Sequence, residues 1–369
     1  MPIEIEGLLR EVVDMRASDV HLQAGSPPSV RVEGLVRLLG RESLTPQDLS
    51  DLADDVMSPR QRRQFEEKNE VDFAIGVSDL GRFRANFFRQ RGSVAAVLRC
   101  VPTQVPPLAA LSLPPQVVTL CEKPRGLVLV TGSVGSGKST TLAAMMQHIN
   151  ETEAKRMITI EDPIEFLHRN EKSIIIQRDV GVDTGSFADA IRHSMRQDPD
   201  VIMVGEIRDA ETMSIAITAA NTGHLVLSTL HTIDAMQTIN RIISFFPPHQ
   251  HDEIRFLLAS CLEATVSLRL VPNVEGTGRV PAVEIMLVTG TIREYLLDKT
   301  KTPLIRGAIQ DGADQYGMQT FDQALMKLYR EGRISYETAR EHSTSPSEFE
   351  LRAKGIEASA DESWKGFDP

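Results

Sequence analysis

The stretch 126–144, GLVLVTGSVGSGKSTTLAA, decides how the rest of this chain is read. It opens with an apolar run, Gly126 to Thr131, of the length and composition of a buried strand, and closes with a run of helical composition. Between them GSVGSGKS (132–139) fits the pattern GxxxxGK[ST]. Glycines there free the backbone to turn its amides inward around phosphate oxygens, and the helix that follows adds the positive end of its dipole. Lys138 is spaced to reach β and γ phosphates, and the Ser139 hydroxyl to ligate Mg²⁺. The candidate nucleotide-binding set is therefore Gly132, Ser133, Val134, Gly135, Ser136, Gly137, Lys138, Ser139 and Thr140. A chance glycine-rich turn would not come with strand and helix in the two required places.

Downstream, MITIED, DVIMVGE and HLVLSTLH are further short apolar runs, separated by helical segments opened by Ser186, Asp209 and Asp234. Strands alternating with helices mark a parallel α/β sheet, whose ligands sit at the carboxyl ends of its strands. Glu206 closes one such run and is a candidate to hold Mg²⁺ or orient water; Gly205 stands where a Walker B strand usually has Asp. Glu161, Asp162 and Glu165 follow another run, with Pro163 fixing a turn between them, and such a cluster suits activation of a water. A solvated acidic loop would look the same. His224 and His231 flank HLVLSTLH seven residues apart, which puts them on opposite faces of a strand and excludes one shared metal site. Each reads either as a satisfied core or interface histidine or as a γ-phosphate sensor.

Upstream, Ile5, Leu8, Leu9, Val12 and Val13 have helical spacing, and SVRVEGLVRLL reads as two short strands around Glu33-Gly34. Thr45-Pro46 and Ser58-Pro59 open two helices as N-cap and first helical residue. VDFAIGV, RFRANFFRQ and SVAAVLRCV form a three-strand meander with turns near Leu80-Gly81 and Arg91-Gly92. Residues 1–101 are thus a small α+β domain. Its GRFRANFFRQRGSVAAVLRC carries five arginines and no acid, either a solvated sheet face or a grip on phosphate from a second domain. Prolines at 102, 106, 107, 114 and 115 mark 102–115 as a stiff linker. The α/β core then spans 116–289, a mostly helical section 290–342, and 343–369 reads as a loosely ordered tail.

Composition narrows the function. With 51 acidic against 40 basic residues the net charge is −11, unsuited to a general nucleic-acid coat and leaving a nucleic-acid translocase the least favoured reading. Three scattered cysteines, Cys100, Cys121 and Cys261, give neither a disulfide framework nor a zinc pair, and suit a reducing cytoplasm. The N-terminus lacks a basic, apolar signal pattern and no run approaches ~20 apolar residues, so any membrane role is expected to come through partners.

Taken together, SDVHL with GSPPSVRV, GRFRANFFRQRG, GSVGSGKSTTLAA, TIEDPIEF, MRQDPDVIMVGEIRD, TGHLVLSTLHT, INRIISFFPP and GMQTFDQAL resemble, in order, the bacterial secretion ATPase superfamily, and within it the PilT/PilU family of type IV pilus retraction motors. The resemblance implies a PAS-like N-terminal domain, a RecA-like P-loop ATPase domain and a helical C-terminal section. It implies a homo-hexameric ring at the cytoplasmic face of the inner membrane, partnered by the pilus platform protein and by a paralogous retraction or extension ATPase, with no direct nucleic acid. It further implies ATP and Mg²⁺ as cofactors, Ser139 and Glu206 at the metal, Glu206 as Walker B acid and Glu161 or Glu165 as the water-orienting carboxylate. His224 and His231 become sensors, and Arg84 and Arg99 the arginines that reach the phosphates, a role worth about 10³–10⁵ in rate for transition-state fingers. Two departures stand out. Ser133-Val134 replaces the family's usual proline–threonine pair, and the segment expected to resemble AIRAGE reads VTGTIREYLLDK. The second leaves an accessory, PilU-like role open beside that of main motor. Extension motors and type II secretion ATPases typically carry an extra N-terminal domain and a four-cysteine zinc module, which points the reading to the retraction type.

Overall fold

The computed structural model describes residues 4–32, 34–77, 80–101 and 104–354. The chain divides into two compact units, residues 1–104 with 163–168, and residues 105–162 with 169–369. Glu33 and Pro102, in the expected turn and linker, and the tail from 355 onward lie outside the described residues.

The first unit begins with α1 (Ile5–Asp14), whose Leu8, Leu9 and Val12 are buried. Helices α2 (Pro46–Val56) and α3 (Pro59–Lys68) each start with a capping box, on Thr45 with Asp48 and on Ser58 with Gln61, and each has proline in the first turn. Strands β1 (Asp19–Leu22), β2 (Ser29–Val32), β3 (Leu35–Leu38), β4 (Glu70–Val77), β5 (Gly81–Gln90) and β6 (Ser93–Val101) form one antiparallel sheet in the order β3-β2-β1-β6-β5-β4. Strand alternation sends Phe83, Ala85 and Phe87 of β5 into the core and leaves Arg84 exposed between them.

The second unit is the α/β domain. It runs α4 (Gln116–Cys121), β7 (Gly126–Thr131), α5 (Lys138–Thr152), β8 (Arg156–Glu161), β9 (Ile174–Asp179), α6 (Phe187–Ser194), β10 (Val201–Val204), α7 (Ala210–Asn221), β11 (Leu225–Leu230), α8 (Ala235–Ser244), α9 (His251–Cys261), β12 (Leu262–Pro272) and β13 (Arg279–Leu287). The sheet order is β13-β12-β7-β11-β10-β8-β9; every neighbouring pair is parallel except β12 with β13. The four apolar runs are its central strands, and β7 and β11 are buried at every residue, as strands with helices on both faces must be. Ser186, Asp209 and Asp234 each cap a helix through the side chain. Strands β9, β12 and β13 go beyond the four runs read from the sequence.

The C-terminal helices are α10 (Gly290–Leu297), α11 (Ile305–Asp311), α12 (Ala313–Tyr316), α13 (Phe321–Arg330), α14 (Tyr336–His342) and α15 (Pro346–Ala353). The expected loose tail does not hold at its start. Residues 346–353 are helical, and Phe349, 2% exposed, packs with Val271, Ala282, Phe321 and Leu325 in a separate small core. Nor is 102–115 a spacer throughout, since from Val105 the chain belongs to the second unit and Leu108 is buried in its main core.

Candidate functional site

Because β7, β11, β10 and β8 are parallel and in register, their carboxyl ends share one edge of the sheet. The P-loop leaves that edge from Thr131. Gly132 takes φ +144°, and a Cβ there would lie 2.6 Å from the Leu268 carbonyl oxygen and against Ser136 Oγ, so only glycine fits. Gly135 and Gly137 also have positive φ, which lets the loop reverse before α5 begins at Lys138. Lys138 is buried, and its Nζ donates to the carbonyls of Gly132 and Ser133, both at 2.8 Å. Ser133, Val134 and Gly135 are exposed at the crest of the loop, while Ser139 and Thr140 are half-buried in the first turn of α5. Ser136 Oγ is buried and has no hydrogen-bond partner among the described residues. Such a group, beside a lysine and a helix N-terminus, suits a phosphate oxygen.

Glu161 ends β8 and is buried; Thr159 Oγ1 donates to its Oε1 at 2.7 Å. On the neighbouring strand, the Gly205 amide donates to the Ile160 carbonyl at 2.8 Å, and the Gly205 carbonyl accepts from Thr229 Oγ1 at 2.7 Å. A Cβ on Gly205 would stand 3.5 Å from Glu161 Cα and 3.8 Å from Glu161 Cγ. An aspartate there would press a second carboxylate on Glu161, which gives glycine a physical reason to stand in the Walker B position. Glu206 follows, its Oε1 paired with Arg208 and its Oε2 accepting from His231 Nε2 at 3.2 Å.

The structure thus joins Glu206 and His231 at the edge that carries the P-loop and Glu161. His224 is not among them. It precedes β11 at the other edge of the sheet, its Nδ1 donating to the Ala219 carbonyl at 2.9 Å. Arg84 and Arg99 belong to the first unit, where they face each other directly across β5 and β6. Arg99 Nε donates to Asp19 Oδ1 at 2.8 Å. Burial pushes the Asp19 carboxyl up, but hydrogen bonds from Arg99 and Ser18 and the Arg99 charge outweigh it and hold the group below its usual range. Glu165 groups with the first unit and Glu161 with the second.

Sequence reasoning passed over Arg208 and Thr159, both readable as the residues two positions from Glu206 and Glu161. It also missed a cavity of about 260 Å³ beside the P-loop, between Ser136, Gly137 and Thr140 on one side and Leu268, Leu270, Arg279 and Arg333 on the other. Only the folded sheet assembles that wall. No group of three or more His, Cys, Asp or Glu side chains able to hold a metal occurs among the described residues. The hard oxygen donors of Ser139 and Glu206 suit Mg²⁺, which is ordinarily held by one or two protein groups together with substrate phosphates. Among the described residues no helix is long and apolar enough to cross a membrane.

Comparison with known proteins agrees with this geometry. The family model described as type II/IV secretion system protein matches residues 2–289. The chain is 44% identical to the type IV pilus retraction ATPase PilT of Pseudomonas aeruginosa over 94% of this chain and 100% of that protein. It is 42% identical to the type IV pilus ATPase PilU of the same organism, over 97% of this chain and 94% of that one. Among solved structures, the pilus retraction motor PilT with bound ADP superposes with a TM-score of 0.87 at 47% identity, covering 95% of this chain and 99% of that one. The ATPase DotB of Legionella pneumophila does so with a TM-score of 0.81 at 27% identity, covering 97% of each. With a P-loop on β7 and α5, acids at the adjoining strand ends and a shared fold over nearly the whole chain, this protein belongs to the type II/IV secretion system family and, within it, to the PilT and PilU group of ATPases.

Proposed function

We propose that this protein is a hexameric motor that couples ATP hydrolysis to retraction of type IV pili, drawing pilin subunits out of the fibre at the inner membrane. The observation that carries the reading is the Lys138 ammonium held by the Gly132 and Ser133 carbonyls, on the sheet edge that also carries Glu161 and the Glu206–His231 pair. Lys138 and the loop amides bind the phosphates, and the cavity beside Gly137 and Thr140 takes the nucleoside end. Ser139 and Glu206 hold Mg²⁺, which when bound neutralises phosphate charge. Glu161, or Glu165 from the first unit, orients the attacking water, and Arg84 and Arg99 supply positive charge to the phosphates in the assembled ring. His231 reports the state of Glu206 to the turn before α8. His224, at the other sheet edge, serves as a second conformational sensor. Chemistry at these residues then moves the units as rigid bodies. The ring works in the cytoplasm and meets the membrane through the platform protein and a paralogous ATPase.

A second reading, a PilU-like subunit that assists the main motor, is supported by near-equal identity to PilU and PilT and by the departure at VTGTIREYLLDK, which here forms helix α10. Steady-state ATPase activity of the full chain, beside Glu206→Gln and with oligomeric mass recorded, separates the two. A motor predicts hexamers whose turnover falls by about 10²-fold or more in the variant. Hexamers that bind nucleotide without turning it over would refute the motor and leave the accessory subunit.

A further inference from the structure

One buried carboxyl away from the P-loop has a geometry that reaches the Glu206 cluster. Glu284 lies in β13 opposite Ser267 of β12, and Ser267 lies opposite Thr131 of β7. Thr131 Oγ1 donates to Ser267 Oγ at 2.9 Å, so a polar row crosses the sheet where β7 gives way to the P-loop. Glu284, 5% exposed, accepts from the Ala235 N–H at 2.8 Å. Ala235 is the first residue of α8, and amides in a first turn have no partner inside their own helix. The N-cap Asp234 serves a different donor, the Gln237 amide at 2.7 Å. The turn before α8 is tied internally, Thr232 Oγ1 to Thr238 Oγ1 and Thr238 Oγ1 to the Asp234 carbonyl, each at 2.7 Å. Only Thr232, Ile233 and Asp234 separate the anchored Ala235 from His231, whose imidazole meets Glu206.

We propose that Glu284 is a positioning residue for the Glu206–His231 pair, holding the first amide of α8 and so setting the turn that presents His231 to Glu206. This rests on the reading of Glu206 as a working acid of the ATPase. Stability alone gives little reason to keep the group, since an apolar side chain of similar volume avoids the cost of burying a carboxyl. The groups facing it are Asp234 at the N-terminus of α8, Arg269 of β12, and Arg306 of α11, itself paired with Asp322 at 2.6 Å. Burial is the largest influence and Asp234 adds to it; the Ala235 amide and the two arginines oppose them, and the carboxyl is pushed up to about 7. Its charge therefore changes across neutral pH, and with it the attraction to the positive end of α8.

Two variants of the full chain test this. Ala235→Pro deletes the donor; proline suits a first helical position, and Asp234 already has the extended φ −156° and ψ 170° that a following proline asks for. Glu284→Gln keeps an acceptor oxygen but cannot titrate. Loss of one hydrogen bond predicts a fall in kcat of about three- to tenfold in Ala235→Pro with KM within about twofold, and amide exchange at 232–234 and 236 faster by a similar factor. Glu284→Gln is expected to flatten the kcat–pH profile between about pH 6 and 8. Combined with His231→Ala, neither variant is expected to cost more than His231→Ala alone. Additive losses, a Glu284→Gln profile parallel to wild type, or wild-type exchange and kcat in Ala235→Pro would each overturn the proposal. Should Ala235→Pro not fold, the Glu284→Gln profile and its double variant decide. Should wild type not hydrolyse ATP, the motor reading fails, and exchange at 232–234 and 236 still tests the anchor.

Discussion

Replacing Gly132 with alanine tests the claim that the P-loop leaves β7 through a conformation and a space open to glycine alone. At φ +144° an L-residue is strained, at a cost of about 1–3 kcal/mol. The new Cβ would also lie 2.6 Å from the Leu268 carbonyl, which belongs to β12 and is fixed by its ladder; overpacking of that kind costs about 1–3 kcal/mol. Ser136 Oγ, the other neighbour, sits on a side chain that can rotate and adds little. The sum is about 2–6 kcal/mol. At roughly 2–4 °C per kcal/mol for a unit of this size, Tm falls by about 5–20 °C. Gly135→Ala is the internal control, since Gly135 has φ +76° but nothing within 4 Å of its Cβ; the left-handed penalty alone predicts about 1–2 kcal/mol. Calorimetric unfolding of the two variants beside wild type gives the comparison. A Gly132→Ala loss equal to or smaller than that of Gly135→Ala would refute the packing argument, whatever either variant does to nucleotide binding.

The remaining predictions concern parts of the second unit remote from the loop. Phe349→Ala should cost about 3–5 kcal/mol in urea unfolding, because α15 has one buried anchor and a cavity would open against Val271 and Phe321; a change under about 1 kcal/mol would show that α15 does not pack there. Glu284→Gln should alter the pH dependence of stability. With its carboxyl raised to about 7 in the fold, from an ordinary 4.5, the folded state binds the extra proton between those values. Stability from this group is then full below pH 4.5 and lost as pH rises to 7, on the order of 3 kcal/mol in all. The variant should therefore gain on wild type by on the order of 2 kcal/mol between about pH 5 and pH 8, and a constant difference would contradict the raised carboxyl.

Much of the architecture could be read because its signals are local. Side-chain caps at Ser186, Asp209 and Asp234, and proline after Thr45 and Ser58, act within one helical turn, so each is visible in four or five consecutive residues. The short apolar runs read along the chain announced β7, β8, β10 and β11 for the same reason. Strand β9, IIIQRD, and the edge pair β12 and β13 mix polar with apolar residues along their length and lack that signature. The helix in 346–353 was hidden because its anchor, Phe349, is stabilised by Val271 and Ala282, far away in the chain.

At the site the division is similar. The amino-acid sequence by itself determined the P-loop, its lysine and serine, and the acids at the strand ends, because phosphate binding by backbone amides needs glycines and a lysine at fixed spacing. Only the tertiary structure decided which of the other residues meet. Parallel register of β10 and β11 brought His231 to Glu206, where the nearby Arg208 also pairs, and left His224 out of the cluster. The sheet set Gly205 beside Glu161, and a carboxyl from β13 reached the first amide of α8. Such contacts join residues 25 and 49 positions apart, and distances through space at that separation are set by the packing of the sheet, which no local pattern records.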